Sequence, residues 1–218
     1  RQNGIIKVVK NINPYLIEGK NIVISRRGTP LSKLPEIKFG NMPNDGGGLI
    51  LTEVEKNKLI TDYPQAKKFI KKYIGSEEFI KGKTRWCLWI EDSDLDEALN
   101  IKPIVERIQK VREHRLKSKD KGTNKLAERS HQFRDLNTSK NSAIIIPRVS
   151  SERREYIPTG FLDNYCIISD SAQAIYDSEP WILGVITSKM HMVWVKNIGG
   201  RLETRIRYSA DICYNCLL

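Results

Sequence analysis

No apolar run in the 218 residues approaches the ~18 needed to cross a bilayer, and no charged-then-apolar leader opens the chain. Neither a membrane span nor secretion is expected, and the expected setting is the cytoplasm. Cysteine is scarce. Cys87, Cys166, Cys213 and Cys216 follow no regular pairing frame, so reduced thiols are expected. Cys213 and Cys216 have C-x-x-C spacing, but a structural zinc takes four ligands and no second spaced pair exists. His114, His131 and His191 are scattered, and no metal site is expected. The chain begins at Arg1 rather than Met, which suggests a piece of a longer polypeptide.

The glycine signatures of nucleotide enzymes are missing too. Asn44-Asp45-Gly46-Gly47-Gly48 lacks the G-x-G-x-x-G spacing and a strong preceding strand, and reads as a turn. No G-x-x-x-x-G-K-[ST] loop occurs. Asn13-Pro14-Tyr15 is one Pro short of the Asn-Pro-Pro-Tyr motif that holds a flipped base, and also reads as a turn. The acids from Asp92 to Glu97 suit a helix N-terminus better than a metal site. No cofactor is expected to bind this stretch of chain.

What is plentiful is positive charge. Lys and Arg number 37 against 26 Asp and Glu, a net +11. Hydrophobic residues at 39% and charged residues at 29% fit a folded domain with a sizeable core. A charge this large favours a polyanionic partner.

The pattern along the chain is α+β, a mixed sheet with a helical segment that includes a basic helix at about 103–120. Residues 1–48 read as a lead-in of strands and turns, with β-branched runs at Ile5–Val9 and Ile22–Ile24. Residues 49–218 read as the main domain. Thr52-Glu53-Val54-Glu55 has the form of a capping box, with Val54, Leu59 and Ile60 as an inward face. Asp62-Tyr63-Pro64 is expected to start a second helix carrying Ala66, Phe69, Ile70 and Tyr73 inward. Arg85–Ile90, Ala143–Ile146 and Cys166–Ile168 read as strands. Trp181–Val195 reads as helix, with Thr187 or Ser188 near a functional surface.

Two features suit contact with DNA. Between 102 and 129 ten Lys or Arg meet four Asp or Glu, a net +6. On that helix Arg107, Lys110, Arg112, Arg115, Lys117 and Lys119 are expected to neutralise phosphates, helped by Arg148, Arg154, Lys189 and Arg201 elsewhere. The alternative is a solvated helix face. The second feature is Gly199–Ser209. If 203–207 is extended, Glu203, Arg205 and Arg207 share one face. In a major groove Arg can donate two bonds to guanine while Glu accepts from the cytosine amine, so the two side chains match one C·G pair. The cluster Pro147–Tyr156, with Glu152 and Arg153, is a comparable candidate.

At these residues the sequence resembles the MmeI-like (type IIL/IIG) restriction-and-modification enzymes. The resembling stretches are Phe39–Gly47, Tyr73–Ile80, Arg85–Trp89, Ile146–Pro158, Ser188–Trp194 and Gly200–Ser209, in the family's order and across nearly the whole chain. The resemblance implies a non-catalytic module that recognises double-stranded DNA. It also implies a parent polypeptide with an adenine-specific methyltransferase domain, which binds S-adenosylmethionine, and a nuclease domain, which uses Mg2+. By this resemblance Glu203 and Arg205 stand at the family's specificity pair, and Glu152, Asp170 and Ser171 lie near other base-reading positions. Two alternatives stay open: an intact nuclease or methyltransferase, and an RNA-binding or assembly module.

Overall fold

The computed structural model describes residues 6–16 and 18–217. The fold is α+β, with three small sheets among the described residues. In the first, β5 (Ser142–Pro147) lies between β7 (Gly160–Asp163) and β9 (Ala172–Tyr176), and β1 (Lys38–Phe39) pairs with the outer edge of β9. The unbroken apolar run of β5 is covered on both faces, as such a run requires. Ile144 and Ile146 join a core with Ile175, Ile206 and Tyr208, whereas Ala143 and Ile145 join another with Ile74, Ile168 and Ala174.

The second sheet runs β2 (Ile50–Leu51), β4 (Arg85–Leu88), β3 (Ile70–Ile74), β8 (Cys166–Ile168), and only the β3–β8 pair is parallel. Leu51, Phe69, Leu88 and Ile167 pack there against α1 (Glu53–Asp62), α3 (Leu95–Leu99) and α4 (Lys102–Leu116). Between β3 and β4 lies α2 (Ser76–Lys81), and α5 (Lys121–Lys125) follows α4 after a break. The two sheets meet where β8 turns into β9. Gly40 crosses that turn, and a Cβ on it would stand 2.1 Å from the Ser169 carbonyl oxygen. Only glycine fits the crossing.

The third sheet is β10 (Gly200–Leu202), β11 (Arg205–Arg207) and β6 (Val149–Ser150), all antiparallel. It stands on α6 (Pro180–Ile186), α7 (Lys189–Ile198) and a π-helical turn, Ala210–Tyr214. The expected single helix over Trp181–Val195 is thus two, parted at Thr187–Ser188. Ser188 Oγ accepts from the His191 amide and caps α7.

Local signals fare unevenly. The Thr52–Glu55 capping box forms, with both of its reciprocal bonds, but Val54 faces solvent and Leu59 alone of that helix is buried. The helix expected from Pro64 to Tyr73 is a 3-10 stretch, Pro64–Phe69, followed by β3. Strands on both sides of β3 offer its backbone a full ladder, which outweighs helical spacing. Ile6–Val9 and Ile22–Ile24 form no strand; no neighbouring strand pairs with them, and Ile5 lies outside the described residues. The basic helix stops at Leu116. Hydrogen bonds tie residues before 48 to those after it: Arg27 N donates to Asp211 O, Tyr214 Oη to Pro35 O, and Leu49 N to the Asp45 carboxylate.

Candidate nucleic-acid interface

Gly200–Leu202 and Arg205–Arg207 form a hairpin whose two-residue loop is Glu203-Thr204, and Glu203 has a positive φ of 59°. The expectation that 203–207 is one extended run is therefore corrected. Glu203 sits in the loop, not on the strand, because a tight reversal needs a left-handed residue there. The acid and the guanidinium meet all the same: Arg205 Nη2 donates to Glu203 Oε2 at 2.9 Å, and both side chains are largely exposed. Arg205 and Arg207 point outward while Ile206 between them is buried, the period-two alternation of a strand.

The footing of the hairpin is buried. Ile206 and Tyr208 are 2% exposed, and the Tyr208 hydroxyl lies 3.0 Å from His191 Nε2 of α7. Burial holds the His191 imidazole down to about 4, so the ring is neutral. On the hairpin's other side β6 pairs Val149 with Arg207 and leads into an exposed loop carrying Glu152, Arg153 and Arg154. Arg153 Nε is 4.0 Å from Glu152 Oε1, so the pair is loose and free to reorient.

Arg148 precedes β6. Its Nη1 donates to the Asp170 carbonyl, and its guanidinium carbon is 4.9 Å from the Phe39 ring centroid. Ser171 is exposed, but its hydroxyl accepts from Ser76 N and its carbonyl from Ser76 Oγ. Arg148 thus joins the Asp170 carbonyl to β6 and the hairpin, with Ser171 following Asp170 and the 152–154 loop following β6. Beside it lies a cleft of about 530 Å³ lined by Arg26, Arg27, Arg148, Arg201 and Arg207. Asp211, also in the lining, pairs with Arg26 at 3.0 Å. The Gln173 Oε1 atom, buried in this wall, has no hydrogen-bond partner among the described residues. Arg26 and Arg27 are the residues that sequence reasoning missed. Assigning them to a lead-in segment hid two adjacent arginines that the fold returns to the C-terminal turn.

The basic helix behaves differently. Lys110, Arg112, Lys117 and Lys119 are exposed, as are Arg154, Lys189 and Arg201. Arg115 is not: it is fully buried, so its assignment to phosphates is corrected. All of its donors go to carbonyls, Nε to Asn44, Nη1 to Leu126 and Arg129, Nη2 to Pro43 and Gln132. Burial, with Arg129 nearby, lowers its pKa to about 10, still charged at neutral pH. Arg107 is half-buried; Nη1 donates to the Gly48 and Ile50 carbonyls and Nη2 to Glu55, so it too is taken up by the fold. Local hydrogen bonding wins because these arginines face carbonyls at 43, 44, 48 and 50 and at 126–132, and buried carbonyls there need donors.

A family model described as "MmeI, target recognition domain" matches residues 18–217. The chain belongs to the MmeI target-recognition-domain family. Its similarity to DNA methyltransferase A of Bacillus subtilis (strain 168) is 49% identity over 209 residues, covering 96% of this chain and 24% of that protein. Among solved structures it is similar to the type IIL restriction-modification enzyme MmeI in complex with DNA, with a TM-score of 0.89 and 42% identity, over 95% of this chain and 28% of that one. The chain therefore spans about a quarter of the length of these relatives.

The glycine-rich segment 44–48 is a turn that closes Gly47 N and Leu49 N onto the Asp45 carboxylate. A Cβ at Gly46 would strike His114 at 2.7 Å, so the turn is packed against α4 rather than open to a ligand. Asn13-Pro14-Tyr15 is a turn in which Asn13 Oδ1 accepts from Tyr15 N. Among the described residues no three His, Cys, Asp or Glu are grouped to hold a metal, and no helix is long and apolar enough to cross a membrane.

Proposed function

We propose that this chain reads the sequence of double-stranded DNA for a longer cytoplasmic restriction-and-modification polypeptide. One observation carries the reading: a short hairpin, anchored by Ile206 and Tyr208, holds Glu203, Arg205 and Arg207 outward beside an arginine-lined cleft. Inserted in the major groove, Arg205 donates to guanine O6 and N7 and Glu203 accepts from the paired cytosine amine. In free protein the two side chains neutralise each other, which keeps an exposed acid from being unpaired until the base edges replace the contact. Arg207, Glu152, Arg153, Asp170 and Ser171 meet neighbouring base edges. Arg26, Arg27, Arg148, Arg154, Lys189 and Arg201 lie against the backbone, where their charge releases counterions. Lys110, Arg112, Lys117 and Lys119 add a second, weaker phosphate surface.

Adenine methylation with S-adenosylmethionine and cleavage with Mg2+ belong, in this reading, to methyltransferase and nuclease domains of the same polypeptide; no step of either is assigned to residues of this chain. The test is selection of bound duplexes from a randomised pool by the wild-type chain and by Arg205→Ala. A consensus with a C·G pair that the variant relaxes supports the reading. A wild-type chain that binds every duplex equally, or prefers single-stranded RNA, sinks it.

A further inference from the structure

Arg85 opens β4, next to the Ser76–Ser171 contact. Its guanidinium is fixed from two sides. Nε lies 2.8 Å from Glu78 Oε1, and the Glu78 side chain is 9% exposed, an acid nearly out of water. The other Glu78 oxygen accepts from Gly75 N at 2.9 Å. From below, the Arg85 guanidinium carbon is 5.0 Å from the centroid of Tyr73, which is itself buried and donates to Asn41 O at 2.9 Å. The remaining edge, Nη1 and Nη2, has no partner among the described residues, and the Arg85 side chain is 43% exposed.

The Arg85 side chain lines a depression of about 500 Å³ with Ser76, Glu77, Glu78, Lys83, Thr84 and Ser171. Gly75 makes the closeness possible: a Cβ there would stand 2.3 Å from Ser171 Oγ. From Ser171 the contacts run on through the Asp170 carbonyl to Arg148, and from there to β6 and the hairpin.

We propose that Arg85 is a further base-reading residue, which donates its two terminal nitrogens to a guanine on the duplex that the hairpin reads. The inference rests on the DNA-reading function proposed above. A phosphate contact asks only for charge, and here the charge is cancelled by Glu78, with Glu77 close by. What survives the cancellation is direction: two parallel donors in a fixed plane, the pattern that matches O6 and N7 of guanine. An arginine held by a buried acid and a ring is preorganised, so little rotamer freedom is lost on binding.

The experiment compares the wild-type chain, Arg85→Lys, Arg85→Gln and Arg205→Ala in the same randomised-duplex selection, with thermal unfolding and salt dependence measured for each. Lysine keeps a cation for Glu78 and loses the planar edge. The expected result is a single guanine position relaxed by roughly tenfold in both Arg85 variants, distinct from the position that Arg205→Ala relaxes, with the salt slope nearly unchanged for Arg85→Lys. Equal weakening on all duplexes with a shallower salt slope assigns Arg85 to phosphate and overturns the proposal. Unchanged selection with lowered thermal stability makes the pair purely structural and overturns it as well. If Arg205→Ala alters selection and the Arg85 variants do not, this proposal alone fails. If the wild-type chain selects no sequence, the hairpin reading fails with it.

Discussion

The hairpin at 200–207 and the helix at 102–116 carry the same kinds of side chain and use them in opposite ways. On the helix the arginines nearest the body, Arg107 and Arg115, are consumed by carbonyls of loops at 43–50 and 126–132. On the hairpin the arginines face away from the body, because strand alternation sends Ile206 inward in their place. Charge density in a sequence is thus a poor guide to charge available on a surface. The longer basic segment is the one that spends two of its three guanidinium groups, those of Arg107 and Arg115, on the fold.

Four expected outcomes break or sharpen that contrast, and the largest concerns the helix. Arg115→Ala removes the hydrogen bonds that the guanidinium gives to five carbonyls and leaves a void, and should destabilise the fold by on the order of 3–5 kcal/mol in denaturant unfolding. Arg115→Lys should rescue little of it, since one ammonium cannot reach five acceptors. A near-neutral Arg115→Ala would show that the buried guanidinium is dispensable and the contrast overstated.

The next effect lies beneath the hairpin. His191 is held neutral in the fold, with its pKa lowered to about 4 by burial. The unfolded chain takes up a proton near pH 6.5, which the folded chain resists. Stability from this group is therefore full above pH 6.5 and is lost as pH falls toward 4, by on the order of 2–3 kcal/mol at most. Thermal unfolding at several pH values should show that slope, and His191→Gln should flatten it. An unchanged slope in the variant would place the titration elsewhere.

For the exposed hairpin arginine the loss should appear in recognition rather than folding. Arg205→Ala should cost ~1–3 kcal/mol at one base pair and relax choice there, with unfolding unaltered. The smallest effect is expected from the helix lysines. Lys110→Ala or Lys117→Ala should weaken binding to all duplexes alike and reduce the salt slope by about one. A base-specific loss from either lysine variant would erase the distinction between the two regions.

What was legible in the sequence follows the range of the interactions involved. The Thr52–Glu55 capping box is a four-residue device and formed as read, whereas the break at Ser188, the N-cap of α7, was not foreseen. The strands at 85, 142 and 166 were readable because their apolar content needs cover from any partner at all. The segment 64–74 was misread because its identity depends on β4 and β8, one of them more than ninety residues away. Arg115 was misjudged for the same reason: its acceptors at 43, 44, 126, 129 and 132 become neighbours only in the fold. At the hairpin the pairing of Glu203 with Arg205 was anticipated, but not the turn that creates it, since a left-handed glutamate has no strong local signature.

The alternation along the last strand has an evolutionary corollary. Positions 203, 205 and 207 contribute almost nothing to the packed interior, while 206 and 208 contribute nearly all of the anchoring. Descendants of this gene can therefore exchange the outward letters without unsettling the inward ones. Under the proposed function, a change of target preference would ask for changes at the outward positions and not at the packed ones.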